Sequence, residues 1–263
     1  MKNTQICAIL FEIWNYFCGG FSKSMPETCV IFGALDYAGA KPVIKEGDFV
    51  IAADGGLAVT EKFGIKPDLI LGDFDSLGYV PDAAGIKIFP TKKDYTDSYI
   101  AVTEGLSRNC DTFVLYGTIG GRSDHTFANI QTLAMLSALG KRAFAIGNDE
   151  IVFVLTSKDR AFCGKIPGMN GKAVKISRPM NSVIMKTGLK TTFSVFSLSD
   201  VSTSVTEKGT EYLLDDHSLT NLFPLGISNT FLKECSVSVK SGVLCVIVEK
   251  DRFDRNDFVF GKD

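Results

Sequence analysis

"DTFVLYGTIGGRSDHTFANIQTLAMLSALGKRAFAIGN" (Asp111–Asn148) passes from an apolar run at 111–117, through a glycine turn, into a helical pattern at Asp124–Leu139. A second apolar run follows at 142–148. Strand, helix and strand in this order predict a unit of an α/β fold with a mainly parallel sheet. The same grammar extends upstream. "CVIFG" (29–33), "DFVIAAD" (48–54), "DLILGD" (68–73) and "IKIFP" (86–90) read as strands, with helices expected at Gly56–Phe63 and Asp97–Ser107. In such sheets a ligand lies beyond the carboxyl ends of the strands, so those ends are where chemistry is expected.

Past Ser157 the pattern changes. Helical periodicity fades, and short strands with Ser, Thr, Gly and Asn turns take over. "TTFSVFSLS" (191–199) and the hairpin-like "SVSVKSGVLCVIVE" (236–249), turning at Lys240–Gly242, predict a smaller all-β domain of sandwich or barrel type. The organisation expected is therefore an extension at 1–24, an α/β domain at 25–157, a β-rich domain at 158–250 and a loosely held charged tail at 251–263. "ICAILFEIWNYF" (6–17) is too short to span a bilayer and is interrupted by Glu12. Met25 is expected to be the functional start, which a chain lacking residues 1–24 that fails to fold or to act would refute.

With 263 residues, 45% of them hydrophobic, the chain is long enough for two modest domains. A formal net charge of −2 gives no broad attraction to nucleic acid or anionic membrane, so an anionic substrate must be met by local groups. Seven cysteines without a C-x-x-C pair fit a reducing cytoplasmic setting better than a disulfide framework or a zinc site.

The strand ends supply those local groups. Asp73 and Asp75 alternate in "GDFDS", so in extended backbone their carboxylates share a face while Phe74 turns to the core. A lone D-x-D better fits a turn whose aspartates accept backbone hydrogen bonds, and only other acids and anion-binding groups at the same edge shift that balance. "ADGG" places Asp54 at a strand end, where Gly55 and Gly56 let a ligand approach the backbone. "KKDYTD" offers Asp94 as a helix cap and Asp97 in the first turn. In "YGTIGGRSDHTFANI", Gly117, Gly120 and Gly121 are expected to present backbone N–H groups to an anion, and Arg122 adds a planar cationic fork. Its spacing is neither that of a Rossmann dinucleotide fingerprint nor that of a Walker A loop. His125 and Asn129 share one helix stripe, with Phe127, Ile130 and Ala134 expected on the core side. Several carboxylates, a glycine cradle and an arginine together suit a Mg²⁺-complexed polyphosphate.

The ordered series "ADGG", "PDLILGDFDS", "KDYTD" and "GGRSDH", followed by "FPLGISNTF" (223–231), resembles the thiamine pyrophosphokinase family from about Cys29 to Glu249. The resemblance implies an α/β domain followed by a β-domain, a homodimer, and Mg²⁺-dependent transfer of a pyrophosphoryl group from ATP to thiamine. It implies that Asp73, Asp75 and Asp97 hold Mg²⁺ and ATP phosphates, that Thr96 lies along the nucleotide and that Arg122 binds phosphate. It further implies that Asp124 faces thiamine with His125 beside it, and that Ser228 and Asn229 reach thiamine near the dimer interface. Two rival readings share the ATP edge: a pyrophosphokinase with a pterin-like acceptor, and a sensor that binds nucleotide or thiamine diphosphate without turnover.

Overall fold

A computed structural model describes residues 27–73, 85–90, 94–169, 172, 174–250 and 252–261. The extension at 1–24, Met25, Phe74 and Asp75 lie outside the described residues. Six parallel strands form the first half: β1 (Thr28–Phe32), β2 (Phe49–Ala53), β3 (Leu69–Gly72), β4 (Ile86–Ile88), β5 (Thr112–Tyr116) and β6 (Arg142–Ile146), in the order β6-β5-β1-β2-β3-β4.

Both faces of this sheet are covered, which is why its strands read as continuous apolar runs. Cys29 and Ile31 of β1 point with Phe113 and Leu115 of β5 toward one core, while Val30, Phe32, Val114 and Tyr116 point toward the other. Among the described residues three helices connect the strands: α1 (Gly56–Lys62), α2 (Asp97–Ser107) and α3 (Ser123–Ala138). Ala101, Val102 and Leu106 of α2 and Leu133 and Leu136 of α3 pack on the first face. Val59 of α1 packs on the second. α1 starts against β1 only because Gly56 has no side chain: a Cβ there would stand 1.9 Å from the Phe32 carbonyl oxygen.

The second half is antiparallel. β7 (Glu150–Thr156) turns back beside β6 and pairs along its whole length with β13 (Val243–Glu249). The sheet continues through β9 (Thr191–Ser197) to β12 (Gly226–Ser238), then β10 (Val201–Thr210) and β11 (Leu214–Thr220). β8 (Ser182–Lys186) pairs with the far end of β12 and with β14 (Phe258–Gly261), forming a second layer. The fold is thus an α/β domain with a parallel sheet followed by an antiparallel all-β domain, as the sequence leads one to expect.

Two local expectations are corrected. The stretch 236–249 is not a hairpin: its chain reverses, but β9 lies between β12 and β13. Nor is the C-terminal segment loosely held. Phe253 and Phe258 are buried, and with Phe260 they stack around Phe144 at centroid distances of 5.0, 5.2 and 5.6 Å. The charges of "DRFDRND" disguise three phenylalanines that cover the sheet face at β6 and β7. Cys29, Cys110, Cys235 and Cys245 are buried free thiols, and burial pushes those of Cys235 and Cys245 up to about 12.

Candidate functional site

The carboxyl ends of β1, β2 and β5 open onto a pocket of about 270 Å³. Its first wall is Asp54, which ends β2 with φ of 49° and donates its N–H to the Leu71 carbonyl at 2.7 Å. A left-handed non-glycine residue at a strand end is uncommon, and it turns the chain sharply into α1. Gly72 allows this approach, since a Cβ on it would lie 3.0 Å from the Asp54 Cα. Asp73 follows directly, so the ends of β2 and β3 bring two carboxylate-bearing residues side by side.

The second wall is the start of α2, where Thr96, Asp97 and Ser98 line the pocket. The helix cap is Thr96 and not Asp94: its Oγ1 accepts from the Tyr99 N–H at 3.2 Å. Asp94 is exposed and does not line the pocket. Asp97 sits in the first turn, where the helix dipole favours negative charge.

The third wall is the turn from β5 into α3, contributing Gly117, Thr118, Arg122, His125 and Asn129. Gly117 (φ 62°), Gly120 (φ 87°) and Gly121 (φ 62°) all take left-handed backbone. The Gly120 N–H is donated within the loop, to Thr126 Oγ1 at 3.1 Å. Arg122 forms a two-pronged pair with Asp124, Nη2 to Oδ2 at 2.6 Å and Nε to Oδ1 at 3.1 Å, both side chains being exposed. The bond from Arg122 holds the Asp124 carboxyl down to about 2, aided by the His125 N–H at 2.9 Å.

The helix stripe of α3 differs from the sequence reading. Phe127 is 61% exposed, whereas Asn129 is buried and donates Nδ2 to the Thr118 carbonyl at 2.6 Å. The structure therefore gathers Asp54, Thr96, Asp97, Arg122 and His125 around one pocket, with Asp73 at the neighbouring strand end. Gly55 and Gly56 shape the fold from behind it, Gly55 against Ala34 and Gly56 against Phe32. Ser228 and Asn229 lie on β12 and are not among the lining residues. Ser228 has φ of 56°, and Asn229 is buried among partners within the β-domain.

Sequence reasoning missed Ala34 and Leu35, which follow β1 and line the pocket. The available signal was Gly33: a Cβ there would stand 2.7 Å from the Gly117 carbonyl oxygen, so the two glycine turns must nest.

Comparison with known proteins agrees with this layout. Residues 40–145 match the family model described as thiamin pyrophosphokinase, catalytic domain, and residues 181–244 match thiamin pyrophosphokinase, vitamin B1 binding domain. The thiamine pyrophosphokinase of Bacillus subtilis (strain 168) is 33% identical over 89 residues, which span 32% of this chain and 42% of that protein. The crystal structure of the Bacillus subtilis enzyme superimposes with a TM-score of 0.68 at 22% identity, covering 86% of this chain and all of the other. Those of Geobacillus thermodenitrificans (TM-score 0.65, 18% identity, 88% and 99% covered) and Candida albicans (TM-score 0.60, 17% identity, 88% and 91% covered) share the fold. Two domain models of one family, matched in order on the α/β and β halves that the fold separates, identify the chain as a member of the thiamin pyrophosphokinase family.

Proposed function

We propose that this protein transfers the pyrophosphoryl group of ATP to the hydroxyl of thiamine, giving thiamine diphosphate and AMP, as a cytoplasmic homodimer. The observation that carries the reading is the convergence of three strand-to-helix connections on one pocket: Asp54 from the first, Thr96 and Asp97 from the second, Arg122 and His125 from the third. Residues 25–157 would carry the nucleotide site and 158–250 the thiamine-binding and dimer-forming surface. Buried free thiols support the reducing compartment. Among the described residues no helix is long and apolar enough to cross a membrane.

The donor set at the strand ends fits a hard divalent cation, since Asp73 and Asp97 offer only oxygen. Asp73, Asp75 and Asp97 would hold Mg²⁺. When bound, that ion supplies neutralisation of the phosphate charge.

The chain's own groups do the rest. Gly120 and Gly121 shape the turn along which the phosphates lie, with Asp54 and Thr96 opposite. Arg122 binds phosphate oxygens and stabilises the charge that develops as the thiamine oxygen bonds to the β-phosphorus, the α–β bridging bond breaks and the hydroxyl proton is released. In this structure the Arg122 fork is engaged by Asp124. A phosphate that takes the fork frees the Asp124 carboxylate to accept an N–H from the thiamine aminopyrimidine, with His125 adjacent. Nucleotide and acceptor are thus coupled through one ion pair. Ser228 and Asn229 would lie near thiamine at the dimer interface.

The test is AMP release from ATP and Mg²⁺ with and without thiamine. Thiamine-dependent AMP supports the reading. AMP formed only with a pterin-like acceptor, or saturable nucleotide binding with no AMP from any acceptor, overturns it.

A further inference from the structure

Helix α3 reaches back to brace the loop from which it starts. Arg122, Thr126 and Asn129 recur at i, i+4 and i+7, on one stripe of the helix. Thr126 Oγ1 accepts the Gly120 N–H at 3.1 Å and lies 3.1 Å from the carbonyl oxygens of both Gly120 and Arg122. One turn further on, the buried Asn129 amide donates to the Thr118 carbonyl at 2.6 Å. Between these ties lies a loop with three left-handed glycines, which has more backbone freedom to lose than any other pocket wall.

We propose that Thr126 and Asn129 are positioning residues that hold the Gly117–Gly121 loop in its phosphate-binding shape before nucleotide arrives. The inference rests on the reading of this pocket as a nucleotide-phosphate site. Neither side chain needs to touch the phosphates for this role. Each fixes a backbone group whose freedom would otherwise be lost on binding, so its removal weakens nucleotide affinity and leaves the acceptor side untouched. The Arg122 carbonyl is also held by the Thr126 backbone N–H at 3.0 Å, so the guanidinium fork keeps its anchor when the hydroxyl is removed.

The experiment compares Thr126→Val, Thr126→Ala, Thr126→Ser and Asn129→Ala in the full chain. It measures equilibrium binding of Mg²⁺-ATP, steady-state constants for both substrates, and amide exchange at Gly120. Alanine favours helix, so Thr126→Ala keeps the test alive should the valine variant fail to fold. The expected result for Thr126→Val and Thr126→Ala is about tenfold weaker ATP binding and a matching rise in KM for ATP, the scale of one lost hydrogen bond. kcat and KM for thiamine should stay within about twofold, Gly120 exchange should quicken, and Thr126→Ser should restore all of these. Asn129→Ala should follow the same pattern at Thr118. ATP affinity unchanged in the hydroxyl-free variants overturns the proposal, as does an equal loss in Thr126→Ser or a loss shared by thiamine. A wild-type chain that binds no ATP overturns the underlying reading as well, whereas wild-type binding with indifferent variants overturns this inference alone.

Discussion

Asn229 and Glu207 face each other across the β-domain, the asparagine Nδ2 donating to Glu207 Oε2 at 2.7 Å. The same amide donates to the Tyr212 carbonyl at 2.7 Å, while its Oδ1 accepts the N–H of Tyr212 at 3.1 Å and of Thr230 at 2.9 Å. Every hydrogen-bonding position of the Asn229 side chain is therefore filled within the domain, and its immediate work is to hold β12 to β10 beside the left-handed Ser228. Glu207 Oε1 is buried without a partner.

Burial raises the pKa of Glu207 above the ordinary glutamate value, and this gives a stability prediction with a definite sign. The folded chain keeps the proton to higher pH than the unfolded chain, so the stability associated with Glu207 is complete below the ordinary value and falls as pH rises through the raised one. Glu207→Gln stays neutral and should unfold at a temperature higher than wild type by about 2–4 °C at pH 8, on the scale of 1 kcal/mol. The gain should vanish near pH 4. A variant that loses stability at pH 8 but not near pH 4 would show that Glu207 is needed as an anion.

Arg122→Ala and Arg122→Lys should each lower kcat by about 10²-fold or more, because a point charge does not replace a planar fork at phosphate. Both partners of the Arg122–Asp124 pair are exposed, so thermal stability should barely change. In the unliganded chain Asp124 is ionised above about 2 because Arg122 holds it, so no acid limb in the kcat/KM profile between pH 4 and 7 should disappear in Asp124→Asn. Steady-state kinetics across pH and a melting curve check both points.

Asp73→Asn should raise the Mg²⁺ concentration for half-maximal AMP release by about tenfold or more, since even groups that only support a metal ligand are worth that much. Chelation of divalent ions should abolish turnover in the wild type, and excess Mg²⁺ should recover most of the variant's kcat. A variant with the wild-type Mg²⁺ requirement would remove Asp73 from the metal site.

Phe258→Ala should cost about 3 kcal/mol, a fall of roughly 6–12 °C in unfolding temperature, because the ring is buried against Phe144 and Phe153. Differential scanning calorimetry settles it, and a fall below about 1 °C would mean that the C-terminal segment is dispensable.

What the sequence made legible was whatever is local. β-branched runs flanked by glycine located the parallel strands, and the α2 span of Asp97–Ser107 came out as read. Asp54, Asp97 and Arg122, singled out by residue type at the strand ends, line one pocket. What failed was long-range or contextual. Nothing near 236–249 announces that β9 will insert between its two strands. Phe127 and Asn129 were exchanged between faces because hydrophobicity assigns phenylalanine to the core, whereas here a buried polar side chain braces a loop. The aspartate at 94 looked like the helix cap, yet Thr96 stands where the backbone leaves extended geometry.

The seven-residue ladder between β7 and β13 has a consequence for synthesis. The ribosome delivers β7 roughly ninety residues before its partner strand, so a nascent chain with the whole α/β half complete still carries an open strand edge. The open edge cannot close until Val243–Glu249 has emerged, and β13 must then insert between β7 and the already synthesised β9. The α/β half is consequently no free-standing module: its edge is closed by a strand made roughly ninety residues later.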